Sequence, residues 1–265
     1  MNNTDYNAHK RFDKTRGRLS GSIRRLSLLL GVLVLVLVLG LVSSGSLPTA
    51  NAAGGPVCYT VADSSDEDKN NAFNDVLALI DLDTGLATFL GQSVNSSGGG
   101  DIDDIEATEF DPDGGELFAI DDSRLGTLNQ LNAEFTVIGE LGTCNLSGGG
   151  SFTIADADGL AKDYASVGGD WYGAVRVSSS GTPDYLFKLP TDGSGNPTVP
   201  INPNAFGSGI SCVPIPTTGL PGSPNLIDDL GFDPVSGQLY GVANGGATTP
   251  TRIVAIDKTD GSVID

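Results

Sequence analysis

The chain has 265 residues, with 33 acidic against 14 basic side chains, one histidine and three cysteines. Half of the bases and the histidine fall in the first 52 residues, so the remainder carries 31 acids against 7 bases, a net charge of −24. Such a surface repels nucleic acid and anionic lipid. The absence of histidine after residue 52 removes Ser–His–Asp and Cys–His catalysis and every histidine-ligated metal site.

In chain order, residues 1–25 form a basic leader (Lys10, Arg11, Lys14, Arg16, Arg18, Arg24, Arg25), and 26–42 is an apolar run broken only by Ser27 and glycines. Ala50–Asn51–Ala52 then offers a small-x-small cleavage site. That order predicts a secretory signal peptide over 1–52, cleaved near 52/53, and a secreted or cell-surface domain over 53–265. An uncleaved anchor is the alternative, because the apolar run is nearly long enough to span a bilayer. The residues after Arg24–Arg25 fit twin-arginine export poorly, so general secretion is the expected route. No membrane contact beyond this segment is expected. Cys58, Cys144 and Cys212 all lie past the cleavage point, which predicts one disulfide and one odd cysteine. The sequence does not choose the pair; Cys144–Cys212 is preferred because both sit in comparable Gly/Ser-rich linkers.

The remaining sequence repeats one device. Ile227 to Val242 reads strand, tight turn, strand, and Ile105 to Ile120 repeats it. Asp233 and Asp111 cap the turn, Pro234 and Pro112 fix φ at its first central position, and Gly237 and Gly115 supply the left-handed residue that closes it. A second strand–turn–strand occurs as Val76–Ile80, Asp81 to Gly85, Leu86–Leu90, and again as Ile253–Ile256, Asp257 to Gly261, Ser262–Ile264. Together these predict four-stranded units over about 56–91, 103–140, 151–201 and 227–265. The aromatic marker of the second strand stands at Tyr59, Phe118, Tyr172 and Tyr240. Unit one starts at that second strand, Val57–Ala62, and lacks a first one. Unit three is degenerate, with Gly159–Asp163, Trp171–Ala174 and Tyr185–Leu189 as its strands.

Val76–Ile80 and Ile253–Ile256 are apolar on both faces, which suits a sheet stacked between two others better than a two-layer sandwich. The expected fold is therefore all-β, a β-propeller-like array of about four four-stranded repeats; a β-sandwich or irregular β-repeat is the alternative. The chain ends on a last strand while unit one still wants a first. This predicts either a short propeller with an imperfect seam or part of a longer array, and the second is preferred.

Phe-Asp-Pro-x-x-Gly-x-Leu-Tyr-Gly-Val, followed by Ile-Asp-x-x-Thr/Asp-Gly, resembles the repeats of uncharacterised secreted bacterial β-propellers of the quinoprotein-like and WD40-like group. The resemblance covers most of 56–265. It implies an extracellular or envelope module, and it transfers no catalytic residue, because the repeated positions are turn and core positions.

Acids cluster where the first strands begin: Asp103 and Asp104 with Glu106, Asp156 with Asp158, and Asp228 with Asp229. In a propeller these positions face a channel mouth, where carboxylates could hold calcium with its six to eight oxygens. The competing reading is that they cap turns and keep the surface wet. Gly98–Gly100 and Gly148–Gly150 lack the lysine and helix of a phosphate loop, and Trp171 sits at a core position of its repeat. The sequence thus predicts a non-catalytic binding module for an unidentified protein, glycan or cationic ligand, with calcium the one candidate cofactor. The alternatives are an extracellular carboxylate-based or metal-assisted hydrolase or lyase, and a structural segment of a longer surface protein.

Overall fold

In the computed structural model, the described residues are 57–62, 75–95, 102, 105–165, 169–177, 183–216, 226–244 and 250–264. All regular structure among them is β. Strands β1 (Val57–Ala62), β2 (Val76–Asp81) and β3 (Ala87–Gln92) form the first sheet, in that order. The second sheet is built from β5 (Ile105–Asp111), β6 (Glu116–Asp121), β7 (Arg124–Leu128) and β8 (Glu134–Glu140), with β4 (Val94–Asn95) added in parallel at its outer edge. A small hairpin, β9 (Thr143–Asn145) and β10 (Ser151–Thr153), leads to the third sheet of β11 (Gly159–Asp163), β12 (Asp170–Val175), β13 (Asp184–Leu189) and β14 (Cys212–Ile215). The fourth is β15 (Leu226–Phe232), β16 (Leu239–Asn244), β17 (Arg252–Ile256) and β18 (Val263–Ile264). The four meanders stack face to face as the blades of a four-bladed β-propeller.

The turns close as their residues dictate. In each Asp-x-x-x-Gly turn the glycine N–H donates to the aspartate carbonyl: Gly85 to Asp81 and Gly115 to Asp111 at 2.7 Å, Gly237 to Asp233 and Gly261 to Asp257 at 2.8 Å. The four glycines have φ between +68° and +77°, a conformation that carries little cost only without a Cβ. The aspartate side chains accept from the turn's own N–H groups, Asp233 from Val235 at 3.0 Å and Asp257 from Thr259 at 2.8 Å.

Each seam between blades is an apolar layer. Leu77, Ile105, Leu117, Leu128 and Phe135 fill the first, Phe118, Ile120, Leu125, Leu160, Trp171 and Phe187 the second, and Tyr172, Leu186, Ile227, Leu230 and Leu239 the third. The marker rings reach across. Tyr59 packs on Phe110 at 5.6 Å and Tyr172 on Phe232 at 5.5 Å, while Phe118 meets Trp171 edge-on at 5.0 Å. The matching contacts of Tyr59 and Tyr172 place β1 as a second strand. Among the described residues no first strand pairs with its inner edge.

One element differs from the sequence expectation, and the preferred disulfide is present. The fourth strand of blade three is Cys212–Ile215, beyond the predicted limit at residue 201. The preceding segment returns through a turn at Thr191–Pro197 and packs Ile201 into the second seam. Cys144 in β9 and Cys212 in β14 are joined by a disulfide, Cα–Cα 5.4 Å, which ties the linker hairpin to the outer edge of blade three. Cys58 is free and exposed.

Candidate functional site at the channel mouth

The β11–β12 hairpin continues two residues past its strands. Asp158 N–H donates to the Ala174 carbonyl at 3.0 Å and Arg176 N–H to Asp156 at 3.1 Å, so Asp156 and Asp158 lie opposite Arg176. In blade four a bulge between Ile227 and Asp229 puts Asp228 out of register and turns it toward the same guanidinium. Arg176 Nη2 lies 2.9 Å from Asp158 Oδ1 and 3.0 Å from Asp228 Oδ1. Asp184, the first residue of β13, completes the group; its Oδ2 accepts from Ile227 N–H at 2.6 Å and anchors the start of β15.

One guanidinium here faces four carboxylates. Asp158 and Asp184 are buried, and Asp158 Oδ2, Asp184 Oδ1 and Arg176 Nε have no hydrogen-bond partner. Asp156, Arg176 and Asp228 are half-exposed and form the rim. Burial pushes the Asp158 carboxyl up to about 8, opposed by Arg176 and reinforced by Asp156, Asp184 and Asp228. Burial likewise raises Asp184 to about 6, against the Ile227 N–H and Arg176. Of the two buried carboxyls, Asp158 therefore keeps its proton to higher pH than Asp184.

Asp229 points away from this group. It faces the channel, where Thr60, Val61 and residues 105–108 enclose a small void with it. Protein surrounds its accessible carboxylate on most sides, and that desolvation raises it to about 6, against the Leu230 N–H. Glu109 belongs to the same region. Burial raises it to about 7, against the Tyr164 hydroxyl, with the Asp229 and Asp111 charges adding to the rise. The Tyr164 oxygen lies 2.5 Å from both Glu109 Oε1 and the Phe110 carbonyl. The phenol has one proton to give, and Glu109 Oε1 and the Phe110 carbonyl are the two acceptors within its reach.

Of the six acids predicted as metal ligands, the structure brings together Asp156, Asp158 and Asp228 and sets Asp229 apart. Asp103 and Asp104 lie outside the described residues. Among the described residues no three His, Cys, Asp or Glu side chains converge as a metal ion requires. The Arg176 guanidinium already takes one oxygen each of Asp158 and Asp228. Sequence reasoning missed Arg176, Asp184, Glu109 and Tyr164. One signal was available: in so acidic a chain, each of the few bases marks where acids are buried. Five of the six described bases make an ion pair.

No family model and no curated protein matches the chain. Solved structures similar to it include an exo-β-1,3-galactanase from Phanerochaete chrysosporium (12% identity, 78% of this chain, 44% of that one, TM-score 0.47). The Malassezia sympodialis allergen Mala s 1 is another (13%, 68% and 48%, TM-score 0.37). A third is a quinoprotein alcohol dehydrogenase-like protein from Bacteroides thetaiotaomicron (13%, 72% and 50%, TM-score 0.27). The chain spans about half the length of these proteins or less, and the activities in their descriptions belong to them.

Proposed function

We propose that the chain is a secreted or cell-surface, non-catalytic binding module whose channel mouth takes a cationic group. The observation that carries this reading is the excess of carboxylate around Arg176, with buried oxygens of Asp158 and Asp184 left without partners. A cation at the Asp156–Asp228 rim stabilises the ionised form of Asp158 beneath it. Binding therefore releases a proton and strengthens as pH rises from about 6 to about 8.

Titration calorimetry of the full chain with spermidine, and in parallel with calcium chloride, tests this. The expected result is spermidine binding that strengthens with pH and is lost in Asp156→Asn/Asp228→Asn. Calcium should bind more weakly, because the guanidinium repels a divalent ion at the centre. Binding unaffected by the double variant would sink the reading.

A carboxylate-based hydrolase is the second reading, favoured by the Glu109–Asp229 pair in the channel, each with a raised carboxyl. Hydrolysis of aryl glycosides that disappears in both Glu109→Gln and Asp229→Asn would replace the first reading with this one.

A further inference from the structure

The fourth blade leaves bare a face that the second and third blades cover. By register, Phe118, Tyr172 and Tyr240 are equivalent, facing Glu109, Ala161 and Gly231 of their first strands. Leu125, Leu186 and Ile253 are equivalent too, facing Ile120, Ala174 and Val242. Phe118 and Leu125 are 1% and 0% exposed, and Tyr172 and Leu186 are 4% and 0%. Tyr240 and Ile253 are 38% and 75% exposed. Between them runs a groove of about 520 Å³ lined by β15, β16 and the start of β17, including Gly231, Tyr240, Val242 and Ile253.

The third seam shows what such a groove takes. There the first strand of the next blade, β15, lies against β11 and β12 and sets Phe232 on the Tyr172 ring at 5.5 Å. The turn aspartates repeat the pattern. Asp111 receives Lys162 and Asp163 receives Lys258, each from the following blade. Asp233 accepts from its own turn, at Val235 and Ser236. The first blade has the complementary gap, since among the described residues β1 is a second strand without a first. One added strand would cover Tyr240 and pair with the free edge of β1.

We propose that this seam binds an extended segment of another polypeptide, added as a β-strand with an aromatic residue seated on Tyr240. The chemistry is that of β5 and β15: an aliphatic residue at the start, phenylalanine five or six positions on, and then a turn. Backbone hydrogen bonds to β1 supply affinity, and the aromatic contact supplies register.

The probe is a fluorescein-labelled peptide of sequence LIDDLGFDP, the Leu226–Pro234 strand supplied in trans, followed by fluorescence anisotropy on the full chain at near-physiological salt. Saturable binding is expected below about 1 mM. Replacing the peptide phenylalanine by aspartate should weaken it at least about tenfold, as should Ile253→Asp or Tyr240→Ser in the protein. Ile253→Asp is exposed and leaves the fold intact, which a melt checks. A shuffled peptide that binds equally well overturns the proposal, as does no binding up to that concentration. So does sedimentation showing a dimer that Ile253→Asp dissociates, since the face would then belong to a second copy.

Discussion

The two ends of β11 use the same residue types to opposite effect. At its closing end Lys162 is buried 2.6 Å from Asp111 and 3.5 Å from Asp113, with the rings of Trp171 and Tyr164 each 5.5 Å from its ammonium. At its opening end Asp158 shares one guanidinium with Asp228, and other carboxylates crowd in. The first end is matched, one buried cation to one buried anion, and reads as a rivet between blades two and three. The second has charge left over, and the fold tolerates it by holding protons. A buried ion pair marks structure where charges balance and a candidate site where they do not.

The sharpest way to break the comparison is at the matched end. Lys162→Met leaves Asp111 buried and alone, which should cost about 3–5 kcal/mol and lower the melting midpoint sharply. Adding Asp111→Asn should recover part of the loss, because the uncompensated charge is then gone. A double variant no more stable than the single one would show that packing around the lysine stem, rather than its charge, holds the seam.

At the opening end the effect should depend on pH. The Asp158 and Asp184 carboxyls there, like those of Asp229 and Glu109 elsewhere in the fold, are raised above their ordinary values, so the folded chain holds more protons than the unfolded one between about pH 4 and 8. Their contribution is fullest below the unfolded values and is lost as pH rises through the folded ones. Thermal melts should therefore show a higher midpoint near pH 5 than near pH 8, and Asp158→Asn should flatten that slope. Arg176→Ala should be tolerated better at the lower pH, where Asp158 and Asp184 are protonated, and destabilise at the higher. The turn carboxylates Asp81, Asp233 and Asp257 are held below the ordinary range, chiefly by hydrogen bonds from Thr84, Ser236 and Thr259 respectively. Their stabilisation is lost only below about pH 4 and leaves this window clear.

The legible part of the fold is the part written in short range. Asp-Pro-x-x-Gly and Asp-x-x-Thr-Gly close turns by contacts within five residues, so the hairpins of blades two and four follow from the sequence. Cys212–Ile215 does not read as a strand, because Pro214 interrupts it and a long irregular segment precedes it. Proline is compatible there only because β14 is an edge strand. The candidate site is legible only in part. Asp156, Asp158 and Asp228 stand out as acids near strand starts, but their common partner, Arg176, reaches Asp228 across 52 residues of sequence. A contact between a strand bulge in one blade and a strand end in another leaves no periodic trace.

Smaller effects separate the turn aspartates. Asp111, Asp163 and Asp233 end equivalent first strands, and the first two are buried against a lysine of the next blade while Asp233 lies at the open face. Asp163→Asn keeps the side-chain oxygen that accepts from Ala165 N–H at 3.0 Å but removes the charge facing Lys258, so it should lower the midpoint by a few degrees. Asp233→Asn also keeps its turn acceptor and has no cation to lose, so its midpoint should stay within the error of the melt. The order Lys162→Met, then Asp163→Asn, then Asp233→Asn therefore measures how much each turn position owes to the blade that follows it. If a strand fills the open seam, the Asp233 variant should change only when that strand is present and carries a cation. Repeating the Asp233→Asn melt with the LIDDLGFDP peptide, and again with its phenylalanine replaced by lysine as at Lys162, separates the two contributions. A lysine peptide that stabilises the parent but not the variant places its ammonium on Asp233, as Lys162 lies on Asp111.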